Sequence, residues 1–177
     1  IDGEAAGDYS GISVSLSSDG NTVAIGAYEN DDNGYDAAGH VRIYTYDGSS
    51  WSQLGNDIDG EAAGDYSGVS VSLSSDGNTV AIGARNNDGN TGNTNDNRGH
   101  VRIYNFNGSS WNQLGSDIDG EASGDFSGTS VSLSNDGNTV AIGAKSADAP
   151  IYDGAGHVRI YNWDGASWIQ VGQDIDG

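Results

Sequence analysis

The sequence predicts an all-β protein made of three similar four-stranded antiparallel units, and two observations carry this prediction. Nearly the same sequence is written three times, over residues 1–57, 58–117 and 118–174, and residues 175–177 begin a further copy. Within each copy, apolar residues alternate with Ser, Ala or Gly, which is the period-2 pattern of a β-strand. Repeats of this order of length are typical of propellers, solenoids and other arrays.

Each unit divides into four strands, which we call a to d. In the first unit the expected strands cover residues 12–17 (a), 22–27 (b), 40–44 (c) and 51–54 (d). An Asp-Gly pair follows strand a and another follows strand c, and such pairs are typical of tight β-hairpin turns. No segment has a helical period, and β-branched, aromatic and Ser/Thr residues dominate the strands. We therefore expect an antiparallel meander in each unit.

Both faces of each predicted sheet require a neighbour. One face of strands a and b is large and aliphatic, and the other consists of Ser, Ala and Gly. Because the second face is small rather than charged, we expect it to be covered as well. Small faces packed against large ones suit sheets arranged around a shared axis, which is the packing of a β-propeller. A solenoid is the alternative.

Three blades do not close a ring, since propellers have about four to eight blades. The three blades are therefore expected to form part of a larger propeller, or to be closed by oligomerisation. Two chains joined head to tail would give six blades in a closed two-fold ring.

Composition excludes several classes of protein. The 177 residues include 26 acidic and 6 basic side chains, for a net charge of −20, and no Cys. Without Cys there is no disulfide framework, thiolate zinc site or cysteine nucleophile. The negative charge argues against nucleic-acid binding, which needs basic residues at phosphates, and against anionic lipid. No apolar run approaches the ~18 residues of a membrane-spanning helix. We therefore expect no nucleic-acid partner, because of the charge, and no membrane insertion, because of the missing apolar run.

Three short motifs recur in register in all units. In the first unit they are Tyr9-Ser10-Gly11, Ile25-Gly26-Ala27 and the run Gly-His-Val-Arg-Ile-Tyr at residues 39–44. Together they resemble the repeats of the FG-GAP family, which build integrin α-subunit propellers and related proteins. The resemblance covers essentially the whole chain and implies a propeller fold. By analogy with integrins it also implies an extracellular or cell-surface binding module.

The strand order predicts where a ligand would bind. In an antiparallel meander the b–c and d–a connections share one end of the blades, and we call this end the acidic rim. Its loops are long and acidic, whereas the a–b and c–d turns at the other end are short and nearly invariant. Because binding residues concentrate on loops held by a rigid scaffold, we expect a protein or glycan ligand on the acidic rim.

The d–a connection is the candidate metal site. Its carboxylates fall at positions 1, 3, 5 and 9, and alternate residues on a tight loop can point oxygens at one centre. Ca²⁺ takes about six to eight such oxygens, and we expect no organic cofactor. The candidate ligands are Asp57, Asp59, Glu61 and Asp65, their equivalents Asp117, Asp119, Glu121 and Asp125, and the first-copy residues Asp2, Glu4 and Asp8. The alternative is that Asp8, Asp65 and Asp125 hydrogen-bond to loop amides while the other acids are solvated.

The resemblance places the family's calcium loop elsewhere, between strands a and b. This chain has only a short turn there, around Asp19, Asp76 and Asp136, which is too short to cage an ion. The family's metal site is therefore not carried over to this sequence.

The b–c loop varies most between the copies, and this divergence marks it as a candidate for ligand specificity. The alternative is a relaxed packing constraint in an exposed loop. The candidate residues are Asp31, Asp32, Asp36, Asn95, Asp96, Asp148, Tyr152 and Asp153. The recurrent histidines are expected to have a role in the fold, with metal binding as the minor alternative, and the recurrent tryptophans to fill the core of each blade.

These observations favour a non-enzymatic extracellular binding or adhesion module, with capture of ligand on the acidic rim and Ca²⁺ as the cation. One alternative is a structural repeat of a surface fibre or assembly. Another is a carbohydrate-binding lectin, which predicts Trp or Tyr side chains in a pocket between blades. A catalytic site would break the sameness of the three copies, and no residue in the sequence does so, so we do not expect an enzyme.

Overall fold

A computed structural model describes residues 1–31, 34–89, 95–148 and 154–177. These residues form three antiparallel sheets, one for each repeat. The first sheet contains β1 (Ser13–Leu16), β2 (Thr22–Ala27), β3 (His40–Tyr46), β4 (Trp51–Gln53) and β5 (Ile58–Asp59). The second contains β6 (Ser67–Leu73), β7 (Thr79–Ala84), β8 (His100–Phe106), β9 (Trp111–Gln113) and β10 (Ile118–Asp119). The third contains β11 (Ser127–Leu133), β12 (Thr139–Ala144), β13 (His157–Trp163), β14 (Trp168–Gln170) and β15 (Ile175–Asp176). Within the described residues there is no helix with the length and hydropathy needed to cross a bilayer.

Each sheet is the expected four-stranded meander with one short strand added. In the first sheet β1, β2, β3 and β4 follow one another, and the two-residue strand β5 pairs with β3 beside β4. The register places Asp59 opposite His40 and Ile58 opposite Val41. Residues 58–59 open the second sequence repeat but complete the first sheet, so each d–a connection is tied to the start of the third strand.

The three sheets stack face to face as propeller blades, which confirms the predicted fold class. Their apolar core lies in the two seams, where a seam is the interface between adjacent blades. The small face of one blade meets the large aliphatic face of the next. The first seam buries Ala24, Val41, Ile43, Ile58, Val71, Leu73, Val80, Ile82 and Tyr104. The second seam buries Ala81, Val101, Ile103, Ile118, Val140, Ile142 and Tyr161.

Glycine in the second strand lets the backbones of adjacent blades touch. A Cβ atom added to Gly26 would lie only 2.0 Å from the carbonyl oxygen of Gly68, and one added to Gly83 would lie 2.1 Å from the carbonyl oxygen of Gly128. The Ser13 hydroxyl donates to the same Gly68 oxygen at 2.7 Å. The small face is therefore required by the close approach of the second strand of one blade to the first strand of the next, because any side chain there would push the blades apart.

Tryptophan fills the wider, outer part of each seam. Trp111 of the second blade donates its indole N–H to the carbonyl of Leu54 in the first blade at 2.7 Å, and Trp168 repeats this bond to Leu114 at 2.8 Å. Each ring packs against the apolar core of its seam. Trp111 and Trp168 therefore pack between blades rather than within one blade, and their equivalent Trp51 is 37% exposed on the first blade.

The first and last blades each keep one face open. Val14 and Leu16 on the large face of the first blade are 63% and 60% exposed, whereas their second-blade equivalents Val71 and Leu73 are buried. On the small face of the third blade, Val158 is 38% exposed, whereas its equivalent Val101 is buried. The two open faces therefore correspond to the two sides of a seam. The first blade exposes the large face, and the third blade exposes the small face.

Equivalent leucines provide a matched test of seam packing. We expect Leu73→Ala to lower the free energy of unfolding by about 3 kcal/mol, because it leaves a cavity in the first seam. We expect Leu16→Ala to change it by less than about 0.5 kcal/mol, because the same side chain is exposed on the first blade. Urea unfolding at low protein concentration measures both values, and equal losses would contradict this packing.

Candidate functional site

The b–c loop of one blade and the d–a connection to the next blade meet at the acidic rim. The amide of Gly64 donates to the carbonyl of Asp36 at 2.9 Å, and the amide of Asn86 donates to the carbonyl of Asp65 at 3.2 Å. The third strands begin at the same end, each with a histidine. Residues from three separate parts of the sequence are therefore brought together at each blade.

Three equivalent clusters of one glutamate, one histidine and one aspartate lie on this rim. The clusters are Glu4–His40–Asp57, Glu61–His100–Asp117 and Glu121–His157–Asp174, and in each of them one donor atom per residue lies within 4.8 Å of the others. The Nδ1 atom of His100 is 3.8 Å from Asp117 Oδ2, and that of His157 is 3.7 Å from Asp174 Oδ2. The arrangement is the same in every blade, so it is a property of the repeat.

Both carboxylates of a cluster are held by a neighbour through one oxygen. The Gln113 amide donates to Asp117 Oδ1 at 2.6 Å, and this leaves Oδ2 facing the histidine. Arg102 lies 3.4 Å from Glu61 Oε1 and also donates to the carbonyl of Asp59 at 2.7 Å. The same partners recur as Gln53, Gln170, Arg42 and Arg159. The free oxygens are therefore fixed in direction.

The histidines are buried beneath these carboxylates. His100 is 1% exposed, and its Nε2 has no hydrogen-bond partner among the described residues; the same holds for Nε2 of His157. Burial lowers the pKa of His100 to about 4, with the Arg102 charge acting in the same direction and Asp117 opposing it. The ring is therefore neutral at pH 7 and retains a lone pair.

The carboxylates proposed from sequence as one calcium loop are divided between neighbouring clusters. Asp57 faces His40, whereas Glu61 faces His100 one blade further on. Asp59 pairs across from His40 in β5 and lines the first seam, and Asp119 lies 4.0 Å from His100. Asp2 supplies its carbonyl to Arg42 at 2.8 Å. The 1-3-5-9 spacing therefore does not converge on one centre, because the blade seam passes through it.

The ninth-position aspartates are buried and hold their own loops. Asp65 Oδ2 accepts from the Ala62 amide at 3.1 Å and from the Asn87 side chain at 2.9 Å. Asp8 makes the same pair of bonds with Ala5 and Asn30, and Asp125 accepts from the Ala122 amide. Burial raises the pKa of Asp65 despite these bonds. These hydrogen bonds to loop amides are the ones expected if the three aspartates hold the loop rather than bind a metal ion.

The a–b turns do not fit the calcium site of the resembled family. The Asp19 carboxylate accepts from the Ser17 hydroxyl at 2.6 Å and from the Asn21 amide and side chain. Asp76 and Asp136 hold their turns through the equivalent Ser and Asn residues. Each turn offers a single carboxylate that is already bonded, which is too few oxygens for Ca²⁺.

Three acidic side chains of the variable b–c loops bond to groups within their own loop, namely Asp31, Asp96 and Asp148. Asp31 accepts from the Ala37 amide at 2.8 Å, and Asp148 accepts from the Gly154 amide at 2.8 Å. Asp96 is buried and pairs with Arg98 at 2.8 Å. Asp36 and Asn95 are exposed. Asp32, Tyr152 and Asp153 lie outside the described residues, so the proposed ligand role of this loop stays a prediction.

Two equivalent recesses open in the seams beside β5 and β10. The first has a volume of about 300 Å³ and the second about 260 Å³. Both are lined by a tryptophan, a tyrosine, a serine and two aspartates. The lining side chains are Trp111, Tyr104, Ser110, Asp57 and Asp59 in the first recess, and Trp168, Tyr161, Ser167, Asp117 and Asp119 in the second. The lectin hypothesis required aromatic side chains in an inter-blade pocket, and these recesses have them.

Substitutions at Asp65 separate a hydrogen-bonding role from a role of its charge. Asp65→Ala removes both acceptor bonds and leaves the buried Asn87 amide unpaired, so we expect a loss of about 2 kcal/mol in the free energy of unfolding. Asp65→Asn keeps an acceptor oxygen and removes a charge that burial disfavours, so we expect less than about 1 kcal/mol. Urea unfolding at pH 7 measures both, and a larger loss for Asn than for Ala would contradict this role.

Comparison with known proteins agrees with this architecture. Residues 2–44 match the family model of the FG-GAP repeat. No curated protein sequence matches the chain. The structure is similar to that of a candidate 6-phosphogluconolactonase from Bacteroides uniformis ATCC 8492, with a TM-score of 0.60 and 12% identity over 93% of this chain and 40% of that chain. It is also similar to hydrazine synthase of Kuenenia stuttgartiensis, with a TM-score of 0.55 and 10% identity over 99% of this chain and 40% of that chain.

At these identities the structural similarity shows the fold alone. The chain spans about 40% of the length of both proteins. The sequence match carries more, because the second and third units repeat the matched motifs in register. Residues 2–44 therefore match the FG-GAP repeat, and the second and third units repeat the motifs of the matched unit.

Proposed function

We propose that this chain is a non-enzymatic, multivalent binding module that acts outside the cell, in the manner of an adhesion protein. One observation carries the proposal: the same recess, lined by the same five side chains of four kinds, occurs at both seams of a rigid scaffold. Repeated sites on one scaffold gain avidity without any new contact. The same rim groups recur in every blade. This supports binding over catalysis, because a catalytic centre would set one blade apart from the others.

The lining of the recesses favours a carbohydrate as the ligand. Aspartate side chains accept hydrogen bonds from sugar hydroxyls, and the faces of Trp and Tyr rings pack against the C–H groups of a sugar ring. Volumes of about 300 Å³ lie at the lower end of the range for ligand pockets and suit one sugar unit in each recess. A glycan with several terminal sugars would bridge the two recesses.

Asparagine substitutions in the recesses test the carbohydrate proposal. Asp59→Asn and Asp119→Asn each remove a carboxylate from a recess and keep every glutamate, histidine and aspartate of the three clusters, while Asp119 Oδ1 also lies 4.0 Å from His100 Nδ1. We expect the unmodified chain to bind a subset of sugars on a glycan array, and the double variant to bind the best of them at least tenfold more weakly in calorimetry.

The control for this experiment is the double variant Asp76→Asn and Asp136→Asn, which removes the same two charges from a–b turns at the opposite end of the blades. It should leave sugar affinity unchanged. Absence of glycan binding by the unmodified chain, or equal binding by the double variant of the recesses, would contradict the carbohydrate proposal and favour a structural role for the repeat.

The two open faces support a second copy of the chain as the partner that extends the ring. The carbonyl of a glycine in the next blade packs closely against Gly26 and against Gly83. Gly143 lies at the equivalent place on the open face of the third blade. Ser130 occupies the position from which Ser13 and Ser70 donate across a seam. The second copy offers the matching surface, namely the large face that carries Val14 and Leu16.

The N-terminal segment competes with a second copy for one position on the first blade. The carbonyl of Asp2 accepts from Arg42, as that of Asp59 accepts from Arg102 within the chain. In a head-to-tail pair the segment 175–177 of one copy would meet residues 1–3 of the other at this position. Removal of residues 1–3 is therefore expected to strengthen association.

A charge on the open large face tests self-association. We expect the unmodified chain to show a mass that rises with concentration in sedimentation experiments, and Leu16→Asp to remain monomeric because a carboxylate would be buried in the new seam. Asn112→Asp, on the exposed outer strand β9, is the matched control and should associate normally. A chain that is monomeric at all concentrations, or a Leu16→Asp variant that still associates, would contradict this pairing.

A further inference from the structure

We propose that each Glu–His–Asp cluster on the acidic rim binds a divalent transition-metal ion of the Zn²⁺ class. The chain therefore carries three equivalent metal sites, one at the start of the third strand of each blade. This inference does not rest on sugar binding or on association between chains, and Asp57 and Asp117 belong both to a recess and to a cluster.

The donor atoms favour a transition metal over Ca²⁺. Ca²⁺ takes oxygen ligands almost exclusively, whereas imidazole nitrogen together with carboxylate oxygen suits Zn²⁺ and its neighbours. Each cluster offers one nitrogen and two carboxylates. Three protein ligands with an open position for water is the usual composition of an accessible zinc site.

The spacing of the donor atoms fits one shared ion. Two ligands about 2.1 Å from a tetrahedral zinc ion lie roughly 3.4 Å apart. His40 Nδ1 is 3.8 Å from Asp57 Oδ2 and 3.9 Å from Glu4 Oε2. Both gaps are too long for a hydrogen bond. All donor atoms of a cluster lie within 4.8 Å of one another, so the carboxylates reach coordination distance by moving inward around the ion.

The surroundings of each cluster orient the ligands as a metal site requires. A glutamine holds the outer oxygen of the aspartate and an arginine holds one oxygen of the glutamate, as at Asp117 and Glu61. Such outer contacts fix ligand direction in metal sites. In the second and third clusters, Nδ1 of the buried histidine faces the aspartate at 3.8 and 3.7 Å, which is too far for a hydrogen bond. A cation between the nitrogen and the carboxylate would give this buried Nδ1 a partner.

The second cluster is accessible to an incoming ion. A recess of about 190 Å³ opens beside it, lined by Glu61, Asp117 and Asp119 together with Asn87 and Gly89. Asp119 Oδ1 lies 4.0 Å from His100 Nδ1 and adds a fourth candidate oxygen. The arginine lowers the negative charge of the site, so we expect reversible binding. We expect selectivity for Zn²⁺ to come from the histidine nitrogen.

Metal stoichiometry tests the proposal on the full chain. In equilibrium dialysis against ZnCl₂ in a non-chelating buffer at pH 7, we expect three Zn²⁺ per chain, with affinity at least tenfold higher than for CaCl₂. Glu61→Gln should lower the count to two, because the amide keeps an oxygen for Arg102 but is a poor zinc ligand. Adding Glu121→Gln should lower it to one.

Two further measurements secure the assignment. Asp76→Asn removes the same charge from an a–b turn and should leave three ions bound. The Nδ1 resonances of the histidines, followed by ¹⁵N NMR, should shift on addition of Zn²⁺ in the unmodified chain, and that of His100 should not shift in Glu61→Gln. If Glu61→Gln is unfolded by circular dichroism, Asp117→Asn replaces it, since it keeps an acceptor for Gln113.

Several results would overturn the proposal. These are fewer than one Zn²⁺ bound per chain, three ions still bound by the folded variant, or Ca²⁺ bound in preference to Zn²⁺. If the chain binds three Zn²⁺ and its sugar binding persists after EDTA treatment, the metal sites are supported. The same result would show that sugar binding does not need the ion.

Discussion

The contact on which the rest of the structure depends is the approach of one blade's backbone to the next at Gly26 and Gly83. There, a glycine carbonyl of the neighbouring blade occupies the space of an absent side chain, and a serine hydroxyl donates to the same oxygen. A larger residue at either glycine would separate the second strand of its blade from the first strand of the next. Because the sheets touch there and are spaced by Trp111 and Trp168 further out, each blade becomes a wedge.

The wedge geometry creates the functional surface. Where the sheets diverge, the d–a connection crosses from one blade to the next and carries its carboxylates along the seam. Asp57 stays with the first blade and Glu61 reaches the second, so every seam acquires acids from two directions. The short strands β5 and β10 fix these connections by pairing with the third strand of the preceding blade. The recesses and the Glu–His–Asp clusters are therefore consequences of blade packing rather than of any single loop.

The fold was predictable because period-2 alternation and the small second face are properties of residues close in sequence. The strand β5 was not, since two residues such as Ile58 and Asp59 carry too little periodicity to mark a strand. The clusters were missed for a related reason: Asp57, Asp59 and Glu61 look like one loop, but the seam divides them. The recurrence of His40, His100 and His157 at one phase was the available signal. It indicated a common role for the three histidines, while their partners, 36 to 39 residues before and 17 residues after them, became evident only in the fold.

The distribution of basic residues explains how so acidic a rim is stable. The chain has six Lys and Arg residues for a net charge of −20, and three of the six are Arg42, Arg102 and Arg159, which are buried at the clusters. Each ion-pairs with a glutamate and donates to a carbonyl in the segment before its blade, so one side chain both neutralises the rim and joins the d–a connection to the third strand. In the second cluster, where the histidine is neutral, two carboxylates and one arginine leave one negative charge. This residual charge is small enough for the blades to pack without an ion and is of the sign that attracts a cation. The same residues thus serve the fold and leave the rim able to bind.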